Sequence, residues 1–141
     1  MVGRMSKISP GNRNQGFTLI EIIIVFTLIG ILVGLGIPQY KYATKRANEA
    51  VLKENLFQMR LLIGQYYADK QEYPSSLKTL VDEGYLYKIP VDPMTKSSET
   101  WVEVRETLTE ENIRLVVEPG VVDVFSGSEK KGIDGTLYNT W

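Results

Sequence analysis

The feature of this sequence that most constrains its fold is an apolar run at residues 17–37, FTLIEIIIVFTLIGILVGLGI. As a helix, a run of this length spans about 31 Å, which matches the hydrocarbon core of a bilayer. A secretory signal peptide has a shorter apolar region followed by a small-residue cleavage site, and no such site follows Ile37. The run therefore predicts a transmembrane helix that is retained rather than discarded.

The residues before this run carry only basic charges, on Arg4, Lys7 and Arg13. By the positive-inside rule, this leader predicts a cytoplasmic N-terminus. A single carboxylate, Glu21, lies near the start of the apolar run, and an acidic side chain at bilayer depth costs roughly 2.5–3.5 kcal/mol. This cost favours a positively charged partner for Glu21. The alternative is a carboxylate that reaches water at the cytoplasmic interface.

After the apolar run, the sequence from Tyr40 to about Lys70 is amphipathic and lacks a strong helix breaker. We therefore expect one long helix, with an inner half facing lipid or neighbouring subunits and an outer half packed on a globular head. Pro38, which follows two glycines closely, predicts a kink or a loosened junction between the halves. The apolar residues at roughly helical spacing are Ala43, Ala47, Ala50, Val51, Leu56, Phe57, Leu61, Tyr66 and Tyr67.

The remaining residues predict a small head. A short helix is expected at 77–81, with Ser75 or Ser76 as its N-cap and Gly84 as its stop. Three segments read as strands of an antiparallel sheet, with a turn at Pro119–Gly120: 101–106, 112–118 and 120–125. The predicted fold class is α+β, divided into a leader (1–16), a long helix (17–70) and a head (71–141).

Composition excludes several classes of function. The sequence has no cysteine and no histidine, which rules out a disulfide framework, a cysteine nucleophile, a Ser–His–Asp triad and any histidine-ligated metal. The net charge of −1 gives no sign of nucleic-acid binding. No phosphate-binding loop or catalytic set of residues is present, so we expect a protein that is not an enzyme.

The N-terminal motif QGFTLIEIIIVFTLIGILVGLGIPQY, residues 15–40, resembles the N-terminus of type IV pilins and pseudopilins. The resemblance implies that a prepilin peptidase cuts between Gly16 and Phe17 and N-methylates Phe17. It also makes Glu21 the family's acid at the fifth mature position, and Pro38 fits the family pattern. In a filament, Glu21 would neutralise the new amino group of Phe17, on a neighbouring subunit or on its own chain.

Residues 66–95, YYADKQEYPSSLKTLVDEGYLYKIPVDPMT, are similar to the major pseudopilin of type II secretion systems. That resemblance implies a structural subunit that polymerises helically with itself into a pseudopilus driving protein export. The implied partners are the prepilin peptidase, minor pseudopilins and an inner-membrane assembly platform with a cytoplasmic ATPase. The implied location is the bacterial inner membrane, crossed once, with the head and the assembled filament in the periplasm.

The C-terminal residues DVFSGSE, DG and W resemble the same family, whose members bind calcium in this loop through backbone carbonyls and acidic side chains. The matching positions are Ser126, which offers a carbonyl, Glu129 and Asp134. The alternative is a solvated loop with scattered charge, because two carboxylates alone fall short of the six to eight oxygens that calcium prefers.

Two other functions compete with a secretion pseudopilin. One is a type IV pilin subunit for adhesion, motility or DNA uptake. The other is a membrane-anchored periplasmic binding module that never polymerises. The module predicts that Glu21→Ala is harmless once the chain is inserted, whereas a filament subunit predicts lost or slowed assembly.

Overall fold

The computed structural model describes residues 2–3, 16–114 and 118–141. The chain divides into two units, Met1–Tyr40 and Lys41–Trp141. The order of elements confirms the predicted α+β class, with a long N-terminal helix before a small head that contains an antiparallel sheet. The elements are α1 (Leu19–Lys70), α2 (Leu77–Asp82), β1 (Val102–Arg105), α3 (Glu110–Arg114), β2 (Val121–Phe125) and a 3-10 turn (Tyr138–Thr140).

The first unit contains the apolar part of α1. Within the described part of the chain, α1 is the one helix long and apolar enough to cross a membrane, by length and composition. Its most apolar window has a mean hydropathy of 2.7, and none of that window is buried. The helix continues through Pro38 without interruption.

In the second unit, the outer part of α1 buries one stripe of side chains against the head. The stripe repeats at intervals of four and three residues, the spacing of a helix face that packs on a core. The prediction that the apolar residues of this half pack on the head is right for Leu56 and Tyr66, which are buried. It is wrong for four others that are 42–60% exposed: Val51, Phe57, Leu61 and Tyr67. Each successive residue turns about 100° around the axis, so a neighbouring position can lie on another face. The buried stripe is Leu52, Leu56, Met59, Ile63 and Tyr66.

The short helix α2 forms as predicted. Ser76 is its N-cap, because the Ser76 hydroxyl accepts a hydrogen bond from the backbone N–H of Thr79 at 3.3 Å. Gly84 follows the helix with a φ of +81°, a conformation that glycine adopts without strain. A salt bridge of 3.0 Å joins Lys70 to Glu83 at the ends of the two helices, and it lowers the pKa of the Glu83 carboxyl.

The sheet consists of β1 and β2, paired antiparallel with Val102 opposite Phe125. The strands predicted at 101–106 and 120–125 are confirmed. The strand predicted at 112–118 is wrong over 112–114, which belong to α3, and residues 115–117 lie outside the described residues. Glu110 and Glu111 begin α3, where negative side chains favour the positive end of a helix dipole.

Candidate functional site

The predicted processing junction lies just outside α1. Gly16, Phe17 and Thr18 precede the first helical residue, Leu19. The Phe17 side chain is 81% exposed, and a side chain added at Gly16 would meet no atom within 4 Å. An exposed, non-helical junction is what a peptidase needs to reach a peptide bond. Cleavage and methylation at Gly16–Phe17 stay predictions.

Glu21 lies in the first turn of α1 and has a local role there. Its backbone N–H donates to the Thr18 hydroxyl at 3.3 Å and to the Thr18 carbonyl at 3.1 Å. Thr18 is thus the N-cap, and Thr18-x-x-Glu21 has the spacing of a capping box. The exposed Glu21 carboxylate also lies at the positive end of the helix dipole. Pro38, the other predicted assembly residue, lies about 25 Å further along the helix at 1.5 Å per residue.

The three residues predicted to bind calcium lie in different environments. Ser126 is fully buried, and its hydroxyl donates to the Asp92 carboxylate at 2.5 Å. Glu129 is exposed. Asp134 is also exposed, and its Oδ1 accepts hydrogen bonds from the Thr136 hydroxyl at 2.7 Å and the Thr136 N–H at 3.0 Å. The Thr136 hydroxyl is the main reason that the pKa of Asp134 is lowered.

These residues do not gather the ligands that calcium needs. Among the described residues, no three acidic side chains lie together as a possible metal site. Carbonyls of the loop already accept hydrogen bonds from the loop itself, Lys130 from Tyr138 N–H at 3.0 Å and Gly132 from Gly135 N–H at 3.1 Å. The two expected carboxylates alone fall short of the six to eight oxygens that calcium prefers, so a site here would need further backbone carbonyls. Calcium binding stays a prediction.

Sequence reasoning missed Arg60, which joins α1 to two other segments. Its Nε lies 2.6 Å from Asp123 Oδ1 on β2. Its Nη2 donates to the backbone oxygens of Val124 at 3.0 Å and Trp141 at 2.6 Å. The guanidinium also lies 5.3 Å from the ring centroid of Phe125. Nothing local marks Arg60 in the sequence, because its partners are more than sixty residues away.

Sequence reasoning also missed Glu49, which the structure buries to 8% exposure. Its Oε1 accepts two hydrogen bonds of 2.7 Å, from the Tyr138 hydroxyl and the Ile133 N–H. Burial and the bond to Glu49 raise the pKa of Tyr138 to about 12. A signal existed, because Glu49 precedes Leu52 by three residues and so extends the buried stripe.

Comparisons with known proteins agree with this geometry. Residues 11–37 match the family model described as the prokaryotic N-terminal methylation motif. The chain is 34% identical to type II secretion system core protein G of Pseudomonas aeruginosa over 97 residues, which cover 57% of this chain and 68% of that protein. It is 28% identical to the protein of the same name from Pectobacterium carotovorum over 107 residues, 64% of this chain and 69% of that protein.

A type IV pilin is also similar, over half of this chain. The type IV major pilin protein PilA of Myxococcus xanthus is 36% identical over 70 residues, 50% of this chain but 31% of that protein. No solved structure matches the chain. The long helix, the small two-stranded head, the methylation motif and the identity to core protein G agree with one another. The chain belongs to the type II secretion system core protein G family of pseudopilins, within the wider group of type IV pilin-like proteins.

Proposed function

We propose that this protein is a structural subunit, without enzymatic activity, that polymerises into a type II secretion pseudopilus and so drives protein export. The observation that carries the proposal is the apolar part of α1, a membrane-length helix with no buried residue in its most apolar window. A helix of this kind needs either lipid or neighbouring helices around it. Polymerisation supplies the neighbours once the helix leaves the bilayer.

In this proposal, a prepilin peptidase removes residues 1–16 and methylates Phe17. The new amino group then lies four residues before Glu21, so the two charges can pair at low dielectric, within a chain or between neighbours. The subunit is held in the bacterial inner membrane with its head in the periplasm. Minor pseudopilins and an assembly platform with a cytoplasmic ATPase complete the machinery, because this sequence has no phosphate-binding loop of its own.

Processing is tested by intact mass and N-terminal sequencing of the protein from the membrane fraction of its native host. We expect a mature chain that begins at Phe17 and is heavier by one methyl group than the unmodified sequence. A population that keeps residues 1–16 in every copy contradicts the proposal and favours an anchored, non-polymerising module.

Polymerisation is tested with Glu21→Ala, and Glu54→Ala serves as a matched control because Glu54 is an exposed carboxylate further along α1. We expect Glu21→Ala to lower the yield of sheared filaments about tenfold or more, since it leaves the Phe17 amine unpaired. Glu54→Ala should retain filaments. Equal yields from both variants and the wild type would contradict a role for Glu21 in assembly.

A type IV pilin is the second candidate, and the Myxococcus xanthus relative favours it. The two functions are separated by deleting the gene and measuring what is lost. Loss of protein export supports the pseudopilin. Loss of surface filaments, adhesion, motility or DNA uptake with export intact supports the pilin.

A further inference from the structure

The C-terminal loop, defined here as residues 128–138, has a fixed shape built from its own backbone. Gly132 N–H donates to the Thr136 carbonyl at 2.7 Å, and an isolated antiparallel bridge pairs Lys131 with Leu137. Gly135 has a φ of +84°, which allows the tight turn between them. The loop is therefore a closed turn whose polar backbone groups largely satisfy one another.

This closed turn contacts α1 through one carboxylate. Glu49 Oε1 accepts the Ile133 N–H from the tip of the turn and the Tyr138 hydroxyl from its end, each at 2.7 Å. Glu49 and Tyr138 are 8% and 2% exposed, so the bond between them is shielded from water, and the bond from Ile133 is partly buried. A buried donor left without an acceptor costs free energy comparable to a hydrogen bond. The loop therefore depends on an acceptor at this point of the helix.

The turn also approaches this carboxylate closely. A Cβ added at Gly132 would lie 3.3 Å from Glu49 Oε1, 2.9 Å from Asp134 Oδ1 and 2.8 Å from the Trp141 ring. Glycine is what allows the backbone to come this near. The fit on three sides shows that the turn is seated against Glu49 and Trp141 without room for an additional group at Gly132.

We propose that Glu49 is the positioning residue that orders the C-terminal loop, and that it does so in place of a bound cation. A cation in such a loop draws together oxygens from separate parts of the turn. In this loop, one carboxylate oxygen of Glu49 instead accepts hydrogen bonds from two donors in separate parts of the turn, an N–H and an O–H. Of the calcium ligands expected from the family resemblance, the Asp134 carboxylate already accepts two hydrogen bonds from Thr136, and the exposed Glu129 is the other acidic side chain.

Hydrogen–deuterium exchange of the full chain in detergent micelles tests the proposal, through the peptides that cover residues 129–138. In Glu49→Ala we expect exchange there to rise about tenfold or more, with or without added calcium, because two protected donors lose their acceptor. Glu49→Gln keeps an acceptor oxygen and should restore most of the protection. Glu54→Ala is the control for loss of an exposed carboxylate from the same helix.

Two further measurements keep the test decisive. Peptides that cover β2 report whether the head of Glu49→Ala is still folded, and Tyr138→Phe, which removes only one of the two donors, should raise exchange by an intermediate amount. In the wild type, excess calcium or a calcium chelator should leave exchange of the loop unchanged. The proposal is overturned if the chelator raises exchange in the wild type, or if a folded Glu49→Ala protein keeps full protection.

Discussion

Replacing Arg60 with alanine should destabilise the head strongly, because this one side chain holds two other segments to α1. The guanidinium makes three hydrogen bonds of 2.6–3.0 Å, to Asp123, to the Val124 carbonyl and to the Trp141 backbone oxygen. A hydrogen bond to a charged group is worth roughly 1.5–3 kcal/mol when it is buried. Here the Arg60 and Asp123 side chains are 36% and 37% exposed, so water and salt screen part of that value.

With this discount, we expect Arg60→Ala to lower the free energy of unfolding by about 2 kcal/mol. For a unit the size of Lys41–Trp141, each kcal/mol moves the midpoint of thermal unfolding by roughly 4–8 °C. The midpoint should therefore fall by about 10 °C, measured by circular dichroism of the full chain in detergent micelles. Near-ultraviolet signals are the better probe, because they report the packing of the head rather than the helicity of α1.

Two variants test whether stability depends on the planar guanidinium of Arg60 and its several N–H donors. Arg60→Lys keeps the charge but cannot make the same set of parallel bonds, and we expect it to recover less than half of the loss. Arg46→Ala removes an exposed arginine from the same helix and should change the free energy of unfolding by about 0.5 kcal/mol or less, which moves the midpoint by at most about 2–4 °C. A midpoint for Arg60→Ala within 2 °C of the wild type, or full recovery in Arg60→Lys, would refute the reasoning.

Two further predictions concern the same head. Burial, the bond to Glu49 and the nearby Asp134 raise the pKa of Tyr138 from 10.0 to about 12. The contribution of the protonated Tyr138 hydroxyl to stability is therefore complete below pH 10 and is lost as the pH rises towards 12. Between pH 10 and pH 12, the free energy of unfolding measured by chemical denaturation should fall by about 3 kcal/mol more in the wild type than in Tyr138→Phe. An equal fall in the two proteins would contradict the prediction. Separately, Gly127→Ala should lower the unfolding midpoint because the new Cβ overlaps the Thr100 backbone oxygen. Gly64→Ala, in open space on α1, should instead stabilise the protein by about 0.5–1 kcal/mol, and a shift of the same sign in both variants would show that the overlap has no effect.

The parts of the fold that were predictable from the sequence are those whose cause is local. The apolar run determines the length of α1, and Ser76 and Gly84 mark the limits of α2 through bonds within a few residues. The strand predicted at 112–118 failed for a local reason as well. Its apolar residues suggested a strand, but the acidic pair Glu110–Glu111 starts a helix that continues to Arg114.

The packing of α1 was less predictable, because two sets of apolar residues on the helix compete for the core. Phe57 and Leu61 have helical spacing, as do the buried residues from Leu52 to Tyr66. The sequence of the helix alone does not decide between the faces. The choice is made by the head, where Leu77, Leu80 and Val121 pack against the second set.

The polar contacts of the head were the least predictable, because they join residues far apart in the chain. Glu49 meets Tyr138 across 89 residues, and Arg60 meets Trp141 across 81. Each of these side chains, taken alone, looks like a solvated charge on an amphipathic helix. The spacing of Glu49 from Leu52 indicates its burial, but the partners of both side chains become visible only after the C-terminal residues have returned to the helix.

Glu49 and Arg60 together explain how a chain without cysteine holds its C-terminal segment on α1. They lie eleven residues apart, which is about three helical turns or 16 Å. Glu49 accepts hydrogen bonds from Ile133 and Tyr138, whereas Arg60 donates one to Trp141, so the segment is held at three residues by two side chains of opposite charge. The ring of Trp141 also packs edge-on against that of Tyr138, with the ring centroids 5.0 Å apart. Two charged side chains on one helix hold the segment at separate points. A single cross-link would hold it at one point and leave the segment free to rotate about that link.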